Sequence, residues 1–433
     1  MFKAVAGYYK DNERLRLLVK IIAVWLISRA VMLLMVPVMN LIADEPHQWL
    51  YYMNPWDAEW YKGIVENGYQ PPKSSGMASW AFFPLYPLVC MAVRLVTMGC
   101  IDTYAVGMTV SNICIIIAVY YAVKYADIEI DMKKYNKKTV EDIIIFLMLA
   151  GPFAVYYGAM YTEALFILCV ILCFYNSARH NYMAAGIAAA MASATRIVGC
   201  MLVFVLITYM FMEACAECRA KHNSKVKDNK EAGIIDKYML TDEAGIMLAG
   251  NISLASVIRT FIKNVIKEPK KLVAIMISPL GIFIYMNYLR YLCGDSWAFY
   301  HVQRAWRTQK MFPVIGVLFK SCTGQLTAAS GVKTLNGIIL GWLCVITLML
   351  YAAMIRKKHY ALGIFGIIVL LIPLTSSVMS TLRFIMGSFV IYIGVAEIIA
   401  GCNRYVRYGI IALMSIVEVV VISAWYFWDG LLM

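Results

Sequence analysis

The run NPWDAEWYKGIVENGYQ, Asn54 to Gln70, is polar and aromatic in a chain that is otherwise mostly lipid-soluble. It falls between the first two membrane-length segments. Asp57 and Glu59 stand two residues apart, flanked by Trp56, Trp60 and Tyr61. A carboxylate pair set among rings beside a bilayer points to chemistry at the membrane surface.

Working outward, apolar residues make up 62% of the 433 and charged residues only 15%, against roughly a quarter charged in soluble domains. Apolar segments cover 17–43, 104–124, 143–158, 161–177, 182–194, 197–212, 272–292, 335–355, 359–374, 384–402 and 408–428. Many approach the roughly 20 residues that cross a hydrocarbon core of about 30 Å. The expected fold is an all-α polytopic membrane protein with about 11 transmembrane helices. A β-barrel would show short alternating segments, and none dominate. The first apolar run is too long for a signal-peptide core and no small-residue cleavage site follows, so it reads as a retained anchor.

The net charge of +13 is what cytoplasmic loops of a membrane protein accumulate, so no nucleic-acid partner is implied. Most of the 12 cysteines sit in apolar segments and act as small hydrophobes. Cys215 and Cys218 form a lone CxxC, a poor metal signal without a second pair or histidines at ligand spacing. No Walker loop, GxGxxG after a strand or HExxH motif occurs, and neither metal nor cofactor is expected.

Loop charge orients the chain. The N-terminus, 124–138, 179–180, 213–271, 356–359 and 404–407 are basic; 44–103, 159–160, 293–311 and 375–383 are aromatic and acidic instead. If 82–98 is an interfacial or re-entrant helix, and 182–212 breaks near Thr195 and Arg196, every basic connection falls on the cytoplasmic side. If 82–98 spans and 182–212 does not break, the lysine-rich 124–138 moves outside. The first arrangement is preferred. It gives a cytosolic N-terminus (1–16), an N-terminal transmembrane module (17–212) with a long outer loop (44–103), a basic cytosolic linker (213–271) and a C-terminal module (272–433) with outer loop 293–334. Within the linker, Asn251 to Lys267 spaces its apolar residues as a helix on an anionic leaflet would, although a solvated linker fits equally.

Five islands share the expected outer face: Trp56 to Tyr69; Ser79 to Pro87; Ala159 to Phe166 with Glu163; Gly294 to Arg307; and Pro373 to Phe384 with Arg383. Arg196 sits at the break. Each has a plain reading. Interfacial belts explain Trp80 and Tyr86, Asp57 and Glu59 could be solvated loop acids, and Arg29 and Arg94 suit snorkelling. Glu163 at the edge of lipid is a functional candidate by default, or a structural partner of Arg196 or Arg383. Taken together, carboxylates and arginines on one face make a cavity for an anionic, polar ligand. Arginine forks suit phosphate oxygens, a carboxylate suits removing a hydroxyl proton, and rings suit sugar faces. Attack by a hydroxyl on a lipid-linked sugar phosphate unites these features.

WDAEWYKGIVENGY followed by FFPLYPLVCMAVR resembles the paired early motif of the PIG-V family, the second mannosyltransferases of glycosylphosphatidylinositol anchor assembly, and of their prokaryotic relatives. YTEALF, ATRIVG, GDSWAFYHVQRAW and PLTSSVMSTLRF match further blocks in the same order. The resemblance implies a GT-C glycosyltransferase using a polyprenyl- or dolichyl-phosphate sugar and a lipid or glycan acceptor among membrane lipids. It would lie in the cell membrane of a prokaryote or the endoplasmic reticulum of a eukaryote. The catalytic acid of the family's first outer loop maps to Asp57, the acid of the YTE-like block to Glu163 and the late arginine to Arg383; Glu59 is not carried over, because members vary there.

The implied reaction is inverting transfer of mannose at the non-cytoplasmic face, with Asp57 as general base. Arg196, Arg383 and either Arg304 or Arg307 would hold the phosphate, and Glu163 would orient the sugar or the acceptor. Trp56, Trp60 and Trp297 would line the sugar site beside Glu59 and Tyr61. Gly294 and Asp295 would turn the fourth island, with Gln303, over the cavity. His301 reads as structural before it reads as a second base. A transporter or flippase of lipid-linked glycans is the alternative, although transporters usually place their acids mid-helix near the bilayer centre.

Overall fold

The computed structural model describes residues 12–44, 46, 48–227, 253–305, 313–325, 334–375, 378–428 and 432. Among these residues regular structure is entirely helical. The first part holds α1 (Glu13–Asn40), α2 (Trp49–Met53), α3 (Asp57–Asn67), α4 (Leu85–Val96), α5 (Thr103–Glu129), α6 (Lys137–Leu149), α7 (Glu163–Ala178), α8 (Tyr182–Ser193) and α9 (Leu202–Lys227). The second holds α10 (Leu254–Lys267), α11 (Pro269–Ile277), α12 (Leu280–Cys293), α13 (Ala298–His301), α14 (Val314–Cys322), α15 (Thr334–Arg356), α16 (Tyr360–Leu374), α17 (Thr381–Gly387), α18 (Val390–Gly401) and α19 (Arg404–Tyr426).

Among the described residues, five helices are long and apolar enough to cross a membrane: α1, α5, the run Ile197–Asn223, α15 and α19. The count rises to seven if α11–α12, bent by 42°, and α17–α18, bent by 72°, each cross once. This is an integral membrane protein, and the expected count of about 11 transmembrane helices is not confirmed, because several apolar segments fold as short helices. The segment 143–158 ends its helix at Leu149, and α4, α8 and α18 have 12 residues each. At 1.5 Å per residue, 12 residues rise about 18 Å, well short of about 30 Å. Residues 82–98 therefore do not span as one helix. The 182–212 segment is broken, with α8 ending at Ser193 and a 3₁₀ turn starting at Ile197. Residues 213–227 continue α9 instead of opening a linker, and α10 follows within 213–271; residues 228–252 lie outside the described set.

The two ends of the bundle differ. At the far end, Glu13, Lys137 and Glu129 start or finish α1, α6 and α5. At the other end lie α2, α3 and the 69–83 loop. From the far end α6 and α8 rise and stop early, while α7 and α18 descend to it from mid-depth starts. The space above them is filled by turns, 3₁₀ helices and the short α17: residues 150–162, 194–201 and 378–389. Residues 154–165 are all buried, the condition under which irregular backbone is tolerated at membrane depth.

Close packing fixes these breaks. A Cβ on Gly199 would lie 2.3 Å from the Ala192 carbonyl, so the 3₁₀ turn folds back on the end of α8 only with glycine there. Other joints use non-glycine residues at positive φ: Trp56 (49°), Phe153 (75°), Ser380 (62°) and Phe389 (64°). Such backbone costs on the order of 1–3 kcal/mol per residue and clusters at functional sites. One apolar core then runs from Leu17 in α1 to Tyr426 in α19.

Candidate active site

All four of these positive-φ joints adjoin segments that bear charge. Trp56 turns the chain into α3, so that Asp57 is its first residue. Ser380 and Phe389 bracket α17, which carries Arg383. Phe153 precedes the buried stretch that ends with Glu163 at the start of α7.

These segments converge. Arg383 Nη1 donates to Asp57 Oδ2 at 2.5 Å, and Arg383 Nε donates to Glu163 Oε1. Arg196 Nη1 donates to the same Glu163 oxygen at 2.7 Å. One carboxylate oxygen thus takes two guanidinium groups, and one guanidinium joins two carboxylates. Glu163 is fully buried, its Oε2 has no hydrogen-bond partner among the described residues, and the Asp57 side chain keeps 26% of its surface open. An orphaned buried carboxylate oxygen is costly. Beside an accessible carboxylate it marks a place where a hydroxyl donor would be satisfied.

Rings support the cations. The Arg383 guanidinium lies 4.8 Å from the Tyr161 ring centroid and that of Arg196 lies 5.1 Å from Phe384, distances at which cation–π attraction operates. Tyr161 and Asn54 also fix the backbone on both sides: Tyr161 OH donates to the Pro55 carbonyl at 2.7 Å, and Met160 N–H donates to Asn54 Oδ1 at 2.7 Å. Neither was singled out in the sequence, although both lie inside the quoted islands. Buried Tyr61 reaches Thr162 Oγ1 at 3.5 Å, and burial pushes its phenol well above the usual range, so it stays a neutral donor.

The two acids of the WDAE run face different ways. Two residues along a helix is over half a turn, and Glu59 accepts from Tyr104 OH of α5 at 2.6 Å. Trp56 packs edge-on against Trp425 at 5.3 Å, and Trp60 stacks on Phe82 at 5.6 Å. Tyr86 is not a belt residue: it is fully buried and hydrogen-bonded to Gly107 O and Ser111 Oγ, both at 2.9 Å. Nor does Arg29 snorkel, because Asn112 Oδ1 accepts from its Nε at 2.8 Å; an asparagine one helix away captures it.

The fourth island lies elsewhere. Gly294, at φ 78°, ends α12, and Asp295 caps the next turn, accepting from Trp297 N at 2.9 Å and pairing with His301 Nδ1 at 2.6 Å. The His301 contact holds the Asp295 carboxyl below the usual range. Phe299 packs edge-on against Phe83, so the island covers the 69–83 loop. Asp295, Trp297, Gln303 and Arg304 make no hydrogen bond or ion pair with Asp57, Glu163 or Arg383 among the described residues, and Trp297 and Arg304 are exposed. Arg307 lies outside the described residues. Among those described, no three His, Cys, Asp or Glu side chains are grouped to hold a metal. Cys215 is buried against Val257, and Cys218 donates to Thr260 Oγ1 at 3.2 Å.

Residues 15–231, half of the chain, match the family described as Mannosyltransferase (PIG-V). The chain belongs to that family. The matched region includes Asp57, Glu163 and Arg196; Arg383 lies beyond it and is brought to them by the fold. No curated protein matches the chain. Among solved structures it is similar to the oligosaccharyltransferase AglB of Archaeoglobus fulgidus in complex with an inhibitory peptide and a dolichol-phosphate. That likeness has 11% identity, 98% of this chain, 56% of that chain and a TM-score of 0.44. The apo form of the same organism's oligosaccharyltransferase gives 13%, 98%, 57% and 0.45. The chain thus spans just over half the length of these solved chains.

Proposed function

We propose that the protein transfers mannose from a polyprenyl- or dolichyl-phosphate donor to a hydroxyl of a lipid-linked or glycan acceptor at the non-cytoplasmic face, with inversion. The observation that carries this reading is the Asp57–Arg383–Glu163–Arg196 cluster, set where short helices stop and turns and 3₁₀ segments take over. Acids and arginines in one recess suit a substrate with sugar hydroxyls at one end and a phosphate at the other.

In the proposed step the acceptor hydroxyl oxygen bonds to the sugar C1 opposite the lipid phosphate. The C1–O bond breaks, and its electron pair leaves with the phosphate. The hydroxyl proton passes to Asp57. Arg383 and Arg196 offset the charge that grows on the leaving phosphate, in a dry site where such pairing is strongest. Glu163 Oε2 takes a hydroxyl of the sugar or acceptor. In this structure Arg383 occupies Asp57 Oδ2. Donor phosphate that takes up Arg383 frees Asp57 in the act of binding, so donor binding precedes activation of the acceptor. Trp56, Trp60 and Tyr61 form the wall beside Asp57.

The test compares wild type with Asp57→Asn in membranes given labelled polyprenyl-phosphate mannose and a cell-lipid extract. Loss of the base is expected to lower transfer by about 10²–10⁴-fold, with the protein inserted and monodisperse. Equal transfer by the two proteins would remove Asp57 from the mechanism.

A further inference from the structure

The far end of the bundle, which the basic loops mark as cytoplasmic, holds a cavity of about 480 Å³ between the starts of α1 and α6 and the end of α5. Five cations line it against two carboxylates, Glu13 and Glu141. Both carboxylates are already engaged. Glu13 pairs with Lys137 at 2.8 Å, and Lys20 lies 4.0 Å from Glu141 and 2.5 Å from Asp142. Lys137 also reaches Asp127 at 3.3 Å. The other three cations, Arg16, Lys124 and Lys138, make no ion pair among the described residues. The first residues of α6 line the same cavity, so its positive dipole end adds to them.

Beyond Lys20, the cavity-facing side of α1 carries Ala23, Ile27, Val31, Leu34 and Val38, all exposed and spaced three or four residues apart, one aliphatic stripe on a helix. A cationic recess continuous with an exposed aliphatic stripe matches a molecule with an anionic head and an acyl tail. A free anion would gain nothing from the stripe.

We propose that this cavity is a binding site for the headgroup of an anionic phospholipid of the cytoplasmic leaflet, gripped by Arg16, Lys124 and Lys138 with its acyl chain along α1. Basic pockets between transmembrane helices take such headgroups. The site is separate from the transfer chemistry, and its occupant ties together α1, α5 and α6, whose opposite ends lie toward Asp57.

Native mass spectrometry of the full-length protein in detergent tests this, with phosphatidylglycerol and phosphatidylcholine of matched chains as probes. Phosphatidylglycerol is expected to be retained roughly tenfold more than phosphatidylcholine. The R16Q/K124Q/K138Q variant should fall to the phosphatidylcholine level. K133Q/K134Q, in the same basic loop but outside the cavity, should behave as wild type. Because three changes could disturb folding, R16K/K124R/K138R is the companion, and it must keep the preference. Equal retention of the two lipids, or an unchanged R16Q/K124Q/K138Q variant, would overturn the proposal. So would displacement of phosphatidylglycerol by millimolar inorganic phosphate, which would make the cavity a free-anion site.

Discussion

Both ends of the bundle carry a buried charge cluster that joins distant parts of the chain, and the two are finished differently. At the far end His359 Nδ1 meets Glu129 Oε1 at 2.8 Å, and Glu397 Oε2 takes Lys357 Nζ at 2.9 Å with His359 Nε2 at 3.7 Å. The remaining oxygens accept from Tyr125 at 3.1 Å and from Tyr135 at 3.3 Å. Every carboxylate oxygen there has a partner, although Lys358, next to His359, also lies at positive φ (75°). At the Asp57 end, Glu163 Oε2 has none, and the flanking backbone is held at positive φ. A satisfied network rigidifies. One left incomplete on strained backbone is suited to a substrate that completes it.

The comparison breaks most sharply at the two central cations. Arg383→Ala is expected to cut transfer by about 10³-fold, the cost of removing one aligned charge from a transition state. Transfer per folded molecule in His359→Gln should stay within about threefold of wild type, while its melting temperature falls, because Glu129 and Glu397 lose a buried partner. Transfer rate and thermal melting, measured on the same preparations, check both. The reverse pattern, with His359→Gln inactive and Arg383→Ala merely unstable, would exchange the roles of the two ends.

A pH series sharpens the same contrast. Burial pulls the His359 imidazole down, but hydrogen bonds and charge from Glu129 and Glu397 override it and leave it pushed up to about 9. A group raised in the folded state contributes its stability fully below its unfolded value, near 6.5, and loses it as pH rises through about 9. Wild type should therefore lose about 3 kcal/mol between pH 7 and 10, while His359→Gln stays flat over that window. Parallel curves for the two proteins would show that the clamp is not charged.

Much of the Asp57 end was legible in the sequence as separate pieces. Asp57, Glu163, Arg196 and Arg383 each stood out as a charge where composition disfavours one. Their meeting was not legible: Asp57 and Arg383 are 326 residues apart, and no local pattern encodes that. Helix lengths were misjudged for a related reason. An apolar run reads the same whether it ends as a full span or stops after 12 residues, and several joints here turn at Trp56 and Phe389, aromatic residues that carry no turn signal. The fourth island misled because aromatic and charged residues gather at any membrane surface. Glu59 was separated from Asp57 by family variation, and helix geometry supplies the physical reason.

The smallest expected effect lies within the WDAE run itself. Glu59 is an exposed residue whose carboxylate accepts one hydrogen bond from Tyr104, tying α3 to α5 beside the Thr103–Glu66 contact at 2.6 Å. Glu59→Gln keeps an acceptor oxygen of similar reach and loses only charge assistance, a change of about 1 kcal/mol or less. Transfer should stay within about threefold of wild type, because that energy would have to appear entirely in the transition state to move the rate further. Set beside Asp57→Asn, the pair tests whether chemistry follows the helix face or the acidity of the run. A loss in Glu59→Gln as deep as that in Asp57→Asn would mean the two acids act together, and the α3 register would have to turn to bring Glu59 toward Arg383.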